Sequence, residues 1–377
     1  MQLIRMLAGR DFRILVTSEQ AQEPTVEVAH EKLFTAWPKL KNWIDDSGAD
    51  LRLIEYEEES ARRWHDQSQQ LQMPWSHERV RAIQQALARF KKAPSSKLKT
   101  LLHPQQLLIE KLNRETLPYR DRLWIGRELA EFGDTRPGVG LCDGVPDIVW
   151  IDIPGGQIEL DSYYSHSHSF EVKPFRIAKY LVTYAQFEAF LTAKDGYKNE
   201  EWWKGIRRSE KAATAAWQEA NVPRETVSWF EAVAFCRWLS HRTKSTIRLP
   251  TEWEWQQAAT GGDPRREYPW SGEWDAARCN NSASSLGRTT AVGMYPQGAT
   301  TQGVMDMAGN LWEWCLNKYD NPMVPESLRI DDSYATRVLR GGSWSLERVD
   351  LRVSFRFYYF AADRFLSIGF RLAQGIL

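Results

Sequence analysis

Two regular phrases near the carboxyl end, Arg340-Gly341-Gly342-Ser343-Trp344 and Ile368-Gly369-Phe370-Arg371-Leu372, enclose an irregular stretch crowded with aromatic rings. Phe355, Phe357, Tyr358, Tyr359, Phe360 and Phe365 all fall between Ser345 and Ser367. So much apolar area in so short a span must fill a core or meet a partner. Alternation favours the core: over residues 351–360, Leu, Val, Phe, Phe and Tyr hold one parity and Arg, Ser, Arg, Tyr and Phe the other, as in a half-buried strand. It weakens after Arg356, where four aromatics run consecutively. A strand hides only every second one, so at least two rings must face outward.

At 377 residues the chain exceeds what one ordinary core fills, which predicts two domains. Residues 12–17 and 25–29 are short β-prone runs separated by a turn containing Pro24, the pattern of a hairpin. Leu33, Phe34, Trp37, Leu40 and Ile44 then recur at helical spacing, with Pro38 starting a fresh first turn or kinking the element. From Asp50 onward Leu51, Ile54, Ala61 and Trp64 line one side of a helix, and the acids of 55–59 point outward. Helices follow over 78–91, 104–114 and 119–132. Composition changes near Gly133: past the glycine-rich run 133–140, Gly, Pro and Trp become frequent and helical periodicity fades to islands at 184–194 and 228–243. This predicts an α+β chain with a mostly helical domain over 1–140 and a loop-rich domain over 141–377.

Lys plus Arg and Asp plus Glu both number 49, which argues against a chain that coats nucleic acid or anionic lipid. The basic run Arg89, Lys91, Lys92, Lys97 and Lys99 reads as a solvated helix end and linker. Charges interrupt the first residues, and no run approaches the eighteen apolar residues of a membrane span, so a cytoplasmic protein without membrane contact is expected. Cys142, Cys236, Cys279 and Cys315 stand far apart and read as reduced, mostly buried thiols. His166 and His168 are the close histidine pair, able to share a face as metal ligands if strand-like, or simply exposed in a loop. No metal or other cofactor is assigned. No phosphate-loop signature occurs, which argues against nucleotide hydrolysis.

Several phrases stand in order: Ile153-Pro154-Gly155-Gly156, Val182-Thr183-Tyr184-Ala185-Gln186-Phe187, Leu249-Pro250-Thr251-Glu252-Trp253-Glu254-Trp255, Gly309-Asn310-Leu311-Trp312-Glu313-Trp314 and the two frames above. Over about residues 145–373 the chain resembles the formylglycine-generating-enzyme, or sulfatase-modifying factor, family, which implies an elaborated C-type lectin fold. Within these phrases Thr251 and Glu254 suit a helical capping box, and alternation sets Trp312 and Trp314 on one face with Glu313 on the other. The resemblance also implies calcium, with Asn280 at one expected ligand position, but Leu286-Gly287-Arg288-Thr289-Thr290 replaces the acidic loop. Formylglycine-forming enzymes need two cysteines after the Gly-Gly-Ser frame; Leu346 and Leu351 stand there instead. Leucine offers no titratable proton and no redox chemistry, so that reaction has no route through these positions, and the chain is expected not to be an enzyme. The rival expectation is a sulfatase-modifying-type oxidase or metalloenzyme with a relocated active site.

The insert resembles the asparagine-rich cassette of such proteins, in which runs of asparagine separate Leu-Arg, single arginines and a closing Ile-Gly-Phe-Arg. Leu351-Arg352, Arg356, Arg364 and Ile368-Gly369-Phe370-Arg371 fall into register with it. Where it has asparagine, this chain has mostly Ser, Leu, Asp, Phe and Tyr, all reachable from an AAC codon by replacing adenines. That is the habit of diversity-generating retroelements, and the resemblance implies a variable protein with a variable region of about 345–367. Its expected ligand-binding residues are Leu346, Asp350, Phe355, Phe357, Tyr358, Tyr359, Phe360, Asp363, Phe365, Leu366 and Ser367, displayed on one rigid face toward an unidentified protein or other macromolecule. Val26 to Pro38 and Leu51-Arg52-Leu53 resemble the winged-helix end of STAND-type signalling ATPases, which implies a winged-helix-like start and a signalling partner for the first domain.

Overall fold

The computed structural model describes residues 15–18, 25–28, 38–66, 77–114, 117–160, 168–320 and 325–375, and its contacts divide the chain into two compact units, Met1–Pro104 and Gln105–Leu377. In the first unit the expected hairpin forms from β1 (Leu15–Ser18) and β2 (Thr25–Val28), antiparallel with Leu15 opposite Val28. Leu33, Phe34 and Trp37 lie outside the described residues. A single helix α1 (Pro38–Asp66) starts at Pro38, whose missing N–H costs nothing in a first turn. It runs through Asp45-Asp46-Ser47-Gly48, a stretch whose composition resembles a turn. Ser47 is buried there, as are Ile54 and Ala61, so packing overrides local propensity. Two details differ from expectation. Leu51 is exposed, and Glu57, expected outward, is buried because Arg79 of α2 (His77–Phe90) donates to both its oxygens at 2.7 and 2.8 Å. The supposed linker holds α3 (Ser96–Leu102), capped by Ser95 and burying Leu98, Leu101 and Leu102.

The second unit begins with α4 (Gln105–Arg114) and α5 (Tyr119–Phe132), so the division in contacts does not coincide with the change of composition near Gly133. Buried Arg122 explains the attachment of α5: it donates to the Leu117 carbonyl and to that of Met294, while Tyr119 Oη donates to Ala276 O. Gly126 is needed for the close approach, since a Cβ there would lie 2.9 Å from that of Ala291.

Three capped helices carry the rest of this unit. α6 (Tyr184–Thr192), α7 (Trp229–Thr243) and α8 (Glu252–Thr260) each open on a complete capping box, from Thr183/Gln186, Ser228/Glu231 and Thr251/Glu254. One four-stranded sheet joins β5 (Trp150–Ile153), β8 (Phe175–Ala178), β14 (Ala373–Gln374) and β9 (Ile247–Arg248) in the order β5-β8-β14-β9. A second has the order β12-β11-β10-β13, built from β10 (Trp312–Lys318), β11 (Thr336–Arg340), β12 (Phe357–Phe360) and β13 (Ile368–Gly369). Smaller pairs join β3 (Leu141–Cys142) to β4 (Val145–Pro146) and β6 (Gly156–Leu160) to β7 (His168–Val172). Trp229, Trp238, Trp255 and Trp314 are fully enclosed between helices and sheets, which is where the abundant tryptophan goes. Cys236, Cys279 and Cys315 are buried and Cys142 is exposed. Among the described residues no helix is long and apolar enough to cross a membrane.

Asp306 is buried just ahead of the Gly309-Asn310 turn, and desolvation lifts its pKa to about 6 although the Gly293 N–H, Arg371 and Arg136 pull the other way. A folded-state pKa above the ordinary value of 3.8 means that the folded chain keeps a proton the unfolded chain has released. Stability from this group therefore falls as pH rises from about 4 to 6 and is flat above. Asp306→Asn, whose amide oxygen still accepts from Gly293, is expected to flatten that slope and to stabilise the unit above pH 6 by up to about 3 kcal/mol. Urea midpoints measured from pH 4 to 7 give the slope, and an unchanged slope contradicts the assignment.

Candidate ligand-binding face

Four arginines, two in the insert and two in its frames, hold it through three buried carboxylates on other elements. Arg356 donates to Glu252 at the start of α8, through Nε at 2.5 Å and Nη2 at 2.8 Å. Arg340, from the first frame, shares that carboxylate at 3.1 Å and lies over the Trp255 ring. Arg364 donates to Glu231 of α7 at 2.8 Å and to Ser209 Oγ at 2.6 Å. Burial opposes its charge, yet the hydrogen bond and charge of Glu231 outweigh that, so its pKa stands above the ordinary arginine value. Arg371, from the second frame, clasps Glu313 with Nε at 2.5 Å and Nη2 at 2.7 Å. Glu313, the carboxylate between two tryptophans, thus holds a guanidinium, and it also accepts from Trp255 Nε1 at 2.8 Å. Leu351, Ala361, Ile368 and Phe370 add apolar anchors with no exposed surface. At Gly342 the backbone has φ +73°, and a Cβ would sit 2.3 Å from Leu351, so the frame glycine makes room for that anchor.

Between anchors, the side chains meet solvent. β12 lies at the edge of its sheet, antiparallel to β11 with Phe357 opposite Leu339 and Phe360 opposite Thr336. It is paired throughout, and its burial alternates, with Phe357 and Tyr359 half-buried and Tyr358 and Phe360 exposed. Phe357 stacks on Trp312 at 5.4 Å, with Phe355 6.0 Å from the same indole. Tyr359 continues this ridge, edge-on to Phe357 at 5.3 Å and 4.4 Å from Phe365. Tyr358 stacks 5.8 Å from Phe357 and packs 4.5 Å from Tyr319, over which Arg356 lies. Tyr358 is 45% exposed, Phe360 53%, Phe365 41% and Leu366 48%, whereas Phe355, Phe357 and Tyr359 are half-buried against the core. Asp363 closes a tight turn: its carboxylate accepts the Phe360 N–H at 3.1 Å and its own N–H donates to Phe360 O. Ser367 is half-buried, and its carbonyl accepts from Trp312 N.

Leu346 and Asp350 lie apart from this ridge, in the preceding loop. Leu346 packs with Leu351 against a cluster containing Tyr268, Trp270 and Cys279, so the two positions expected to carry thiols are an apolar contact. Cys279, expected from sequence as a buried thiol, is buried here, though nothing local in the sequence links it to the insert. Burial pushes its pKa up to about 12, leaving a thiol rather than a nucleophilic thiolate. Val349, 56% exposed beside these residues, was not singled out by sequence.

Asn280, at the expected ligand position, is buried, with its amide donating to Arg288 O at 2.9 Å and its oxygen accepting from Ser284 Oγ at 3.1 Å. Among the described residues no three His, Cys, Asp or Glu side chains come together as a metal site. His166 lies outside the described residues, and the side chain of His168 is likewise not described.

Residues 143–376 match the family model of the sulfatase-modifying factor enzyme 1-like domain, and residues 2–72 match that of novel STAND NTPase 1. Hercynine oxygenase of Mycobacterium tuberculosis is 33% identical over 243 residues, covering 56% of this chain and 55% of the relative. Formylglycine-generating enzyme of Streptomyces coelicolor is 30% identical over 256 residues, covering 52% of this chain and 78% of the relative. PvdO from Pseudomonas aeruginosa superposes with a TM-score of 0.50 at 21% identity, covering 64% of this chain and 100% of that one, and supports the expected α+β fold. The chain spans little more than half the length of the hercynine oxygenase. These relatives overturn the expectation that the chain is not an enzyme. Leu346 and Leu351 remove thiol chemistry from two positions only, and relatives about 30% identical are named as enzymes of two kinds.

Proposed function

Because the chain belongs to the sulfatase-modifying factor enzyme 1-like family, we propose that its insert is a diversified ligand-binding face, of the kind generated by retroelements, mounted on that family's frame. One observation carries this reading: the fully buried positions of the insert all lie outside the pattern's asparagines. No position that is asparagine in the pattern is buried, while Leu351, Ala361, Ile368, Gly369, Phe370 and Arg371, which the pattern leaves constant or outside its asparagines, all are. Arg356 and Arg364, also constant, are the ion-paired anchors. Side chains can therefore change where they meet water without touching what fixes the backbone. Aromatic rings supply large contact area at small rotamer cost, and Tyr358 and Tyr359 add hydroxyls for polar contacts.

The ligand on this reading is a protein or other macromolecule, met in the cytoplasm, where unpaired thiols stay reduced. The match of residues 2–72 supports a first unit that passes the binding event to a signalling partner.

Replacing Tyr358, Phe360, Phe365 and Leu366 together with serine is expected to shift the melting temperature by less than about 5 °C, because exposed substitutions cost little. The same variant should lose at least about 100-fold in affinity for its ligand, since a buried aromatic anchor is worth roughly 2 kcal/mol. Collapse of folding makes these residues core and ends the reading. The DNA gives a second test: a near-copy of the segment for 345–367, rich in AAC where this gene differs and beside a reverse transcriptase gene, is expected.

A further inference from the structure

Beside the insert lies a cleft of about 290 Å³ lined by Arg207, Arg208, Ser209, Ser228, Phe230, Ala362 and Arg364. Two of these residues, Ala362 and Arg364, belong to the insert itself, in the turn between Phe360 and Phe365. The wall is cationic. Arg364 has Nε and Nη2 committed to Glu231 and Ser209, which fixes the guanidinium at the rim and cancels the charge of Glu231, a carboxylate already accepting from Tyr197 and Ser228. Arg207 is held flat against the Tyr334 ring at 3.6 Å, with Nε on the Asp332 carbonyl. Among the described residues its two terminal nitrogens make no hydrogen bond. Among the described residues Arg208 pairs with Glu200, at 3.8 Å, and that side chain is 92% exposed. A pair so long and so wet leaves most of the arginine's charge available.

Two guanidiniums thus remain in surplus around a small cleft whose other walls include the apolar Phe230 and Ala362. Arginine forks match the oxygens of carboxylates and phosphates, and the start of α7 at Ser228 adds partial positive charge from its helix dipole. The volume suits one headgroup and a small apolar body rather than a whole ligand. We propose that this cleft binds an anionic group, a carboxylate or a phosphate, carried by the ligand of the adjoining aromatic face. It rests on the reading of the insert as a binding face and adds the ligand's chemical class: an acidic group placed next to an apolar surface.

The test uses the intact chain, with phenyl phosphate and benzoate as probes and benzyl alcohol as the uncharged control, followed by titration calorimetry or NMR. One anion is expected to bind saturably with a dissociation constant of about 1 mM, more weakly as salt is added, while benzyl alcohol does not saturate. The stronger of the two probes identifies the group as phosphate or carboxylate. Arg207→Ala with Arg208→Ala should weaken binding at least about tenfold at an unchanged melting temperature, and Lys at both positions should restore part of it. Absence of saturable binding by either anion, or equal binding by the alanine variant, overturns the proposal. The quadruple serine variant of the aromatic face should keep the anion site, so loss of one is distinguishable from loss of the other.

Discussion

Glu313→Ala is expected to destabilise the 105–377 unit by about 3–5 kcal/mol, the cost of leaving one member of a buried ion pair without its partner. Glu313 and Arg371 are both without exposed surface, so water does not replace the lost carboxylate. The guanidinium keeps its bonds to the Ala178 and Met305 carbonyls, and these are acceptors without a full negative charge. Trp255 Nε1 loses its acceptor at the same time. For a unit of this size the loss corresponds to roughly 6–20 °C in melting temperature, at about 2–4 °C per kcal/mol. Glu313→Ala combined with Arg371→Met should cost less than Glu313→Ala plus Arg371→Met measured singly, because the double change leaves no orphan charge. Thermal and urea unfolding of the four proteins gives this cycle; a single-mutant loss below about 1 kcal/mol would show that water or a rearranged neighbour reaches the pair.

Glu252→Ala should be nearly as costly and should strike the insert directly. That carboxylate joins Arg340 of the first frame to Arg356 inside the insert, and Asn317 of β10 also donates to it at 3.3 Å. Its loss strands two buried guanidiniums at once, again about 3–5 kcal/mol by the same reasoning. β12 begins one residue after Arg356, so its pairing with β11 is expected to loosen first. Hydrogen exchange of the Phe357–Phe360 amides should accelerate more than that of α7. Glu252→Gln keeps the shape and part of the hydrogen bonding and should recover part of the loss. Uniform exchange across the unit would mean that the insert has no anchor of its own here.

The contrast between these anchors and the exposed rings explains what the sequence could disclose. Thr251 and Glu254 stand three apart, and the capping box they predict is present because both partners lie within one helical turn. The same holds for the helices over 105–114 and 119–132, whose periodicity is local. Alternation in the insert correctly required outward rings, and Tyr358 and Phe360 are those rings. Long-range partners left no such mark. Arg356 finds Glu252 across 104 residues, and Glu57 is drawn inward by Arg79, 22 residues away. The pairing of β12 with β11 is likewise long-range, joining Phe357 to Leu339 and Phe360 to Thr336, and no local pattern announces it. The absence of thiols at Leu346 and Leu351 speaks for those two positions alone, so extending it to the catalytic capacity of the whole chain reached too far.

On the proposed reading, the edge position of β12 also limits how far the sequence of the insert can vary. Such an edge invites a neighbouring copy to add its own strand, and aromatic side chains without Lys or Pro nearby do little to discourage it. Here Asp363 occupies both backbone groups of Phe360 and leaves a carboxylate at the strand's end. These backbone groups are thereby satisfied within the chain. On that same reading, solubility sets a ceiling on how hydrophobic the segment can become, and a polar residue at position 363 helps to keep the edge shielded.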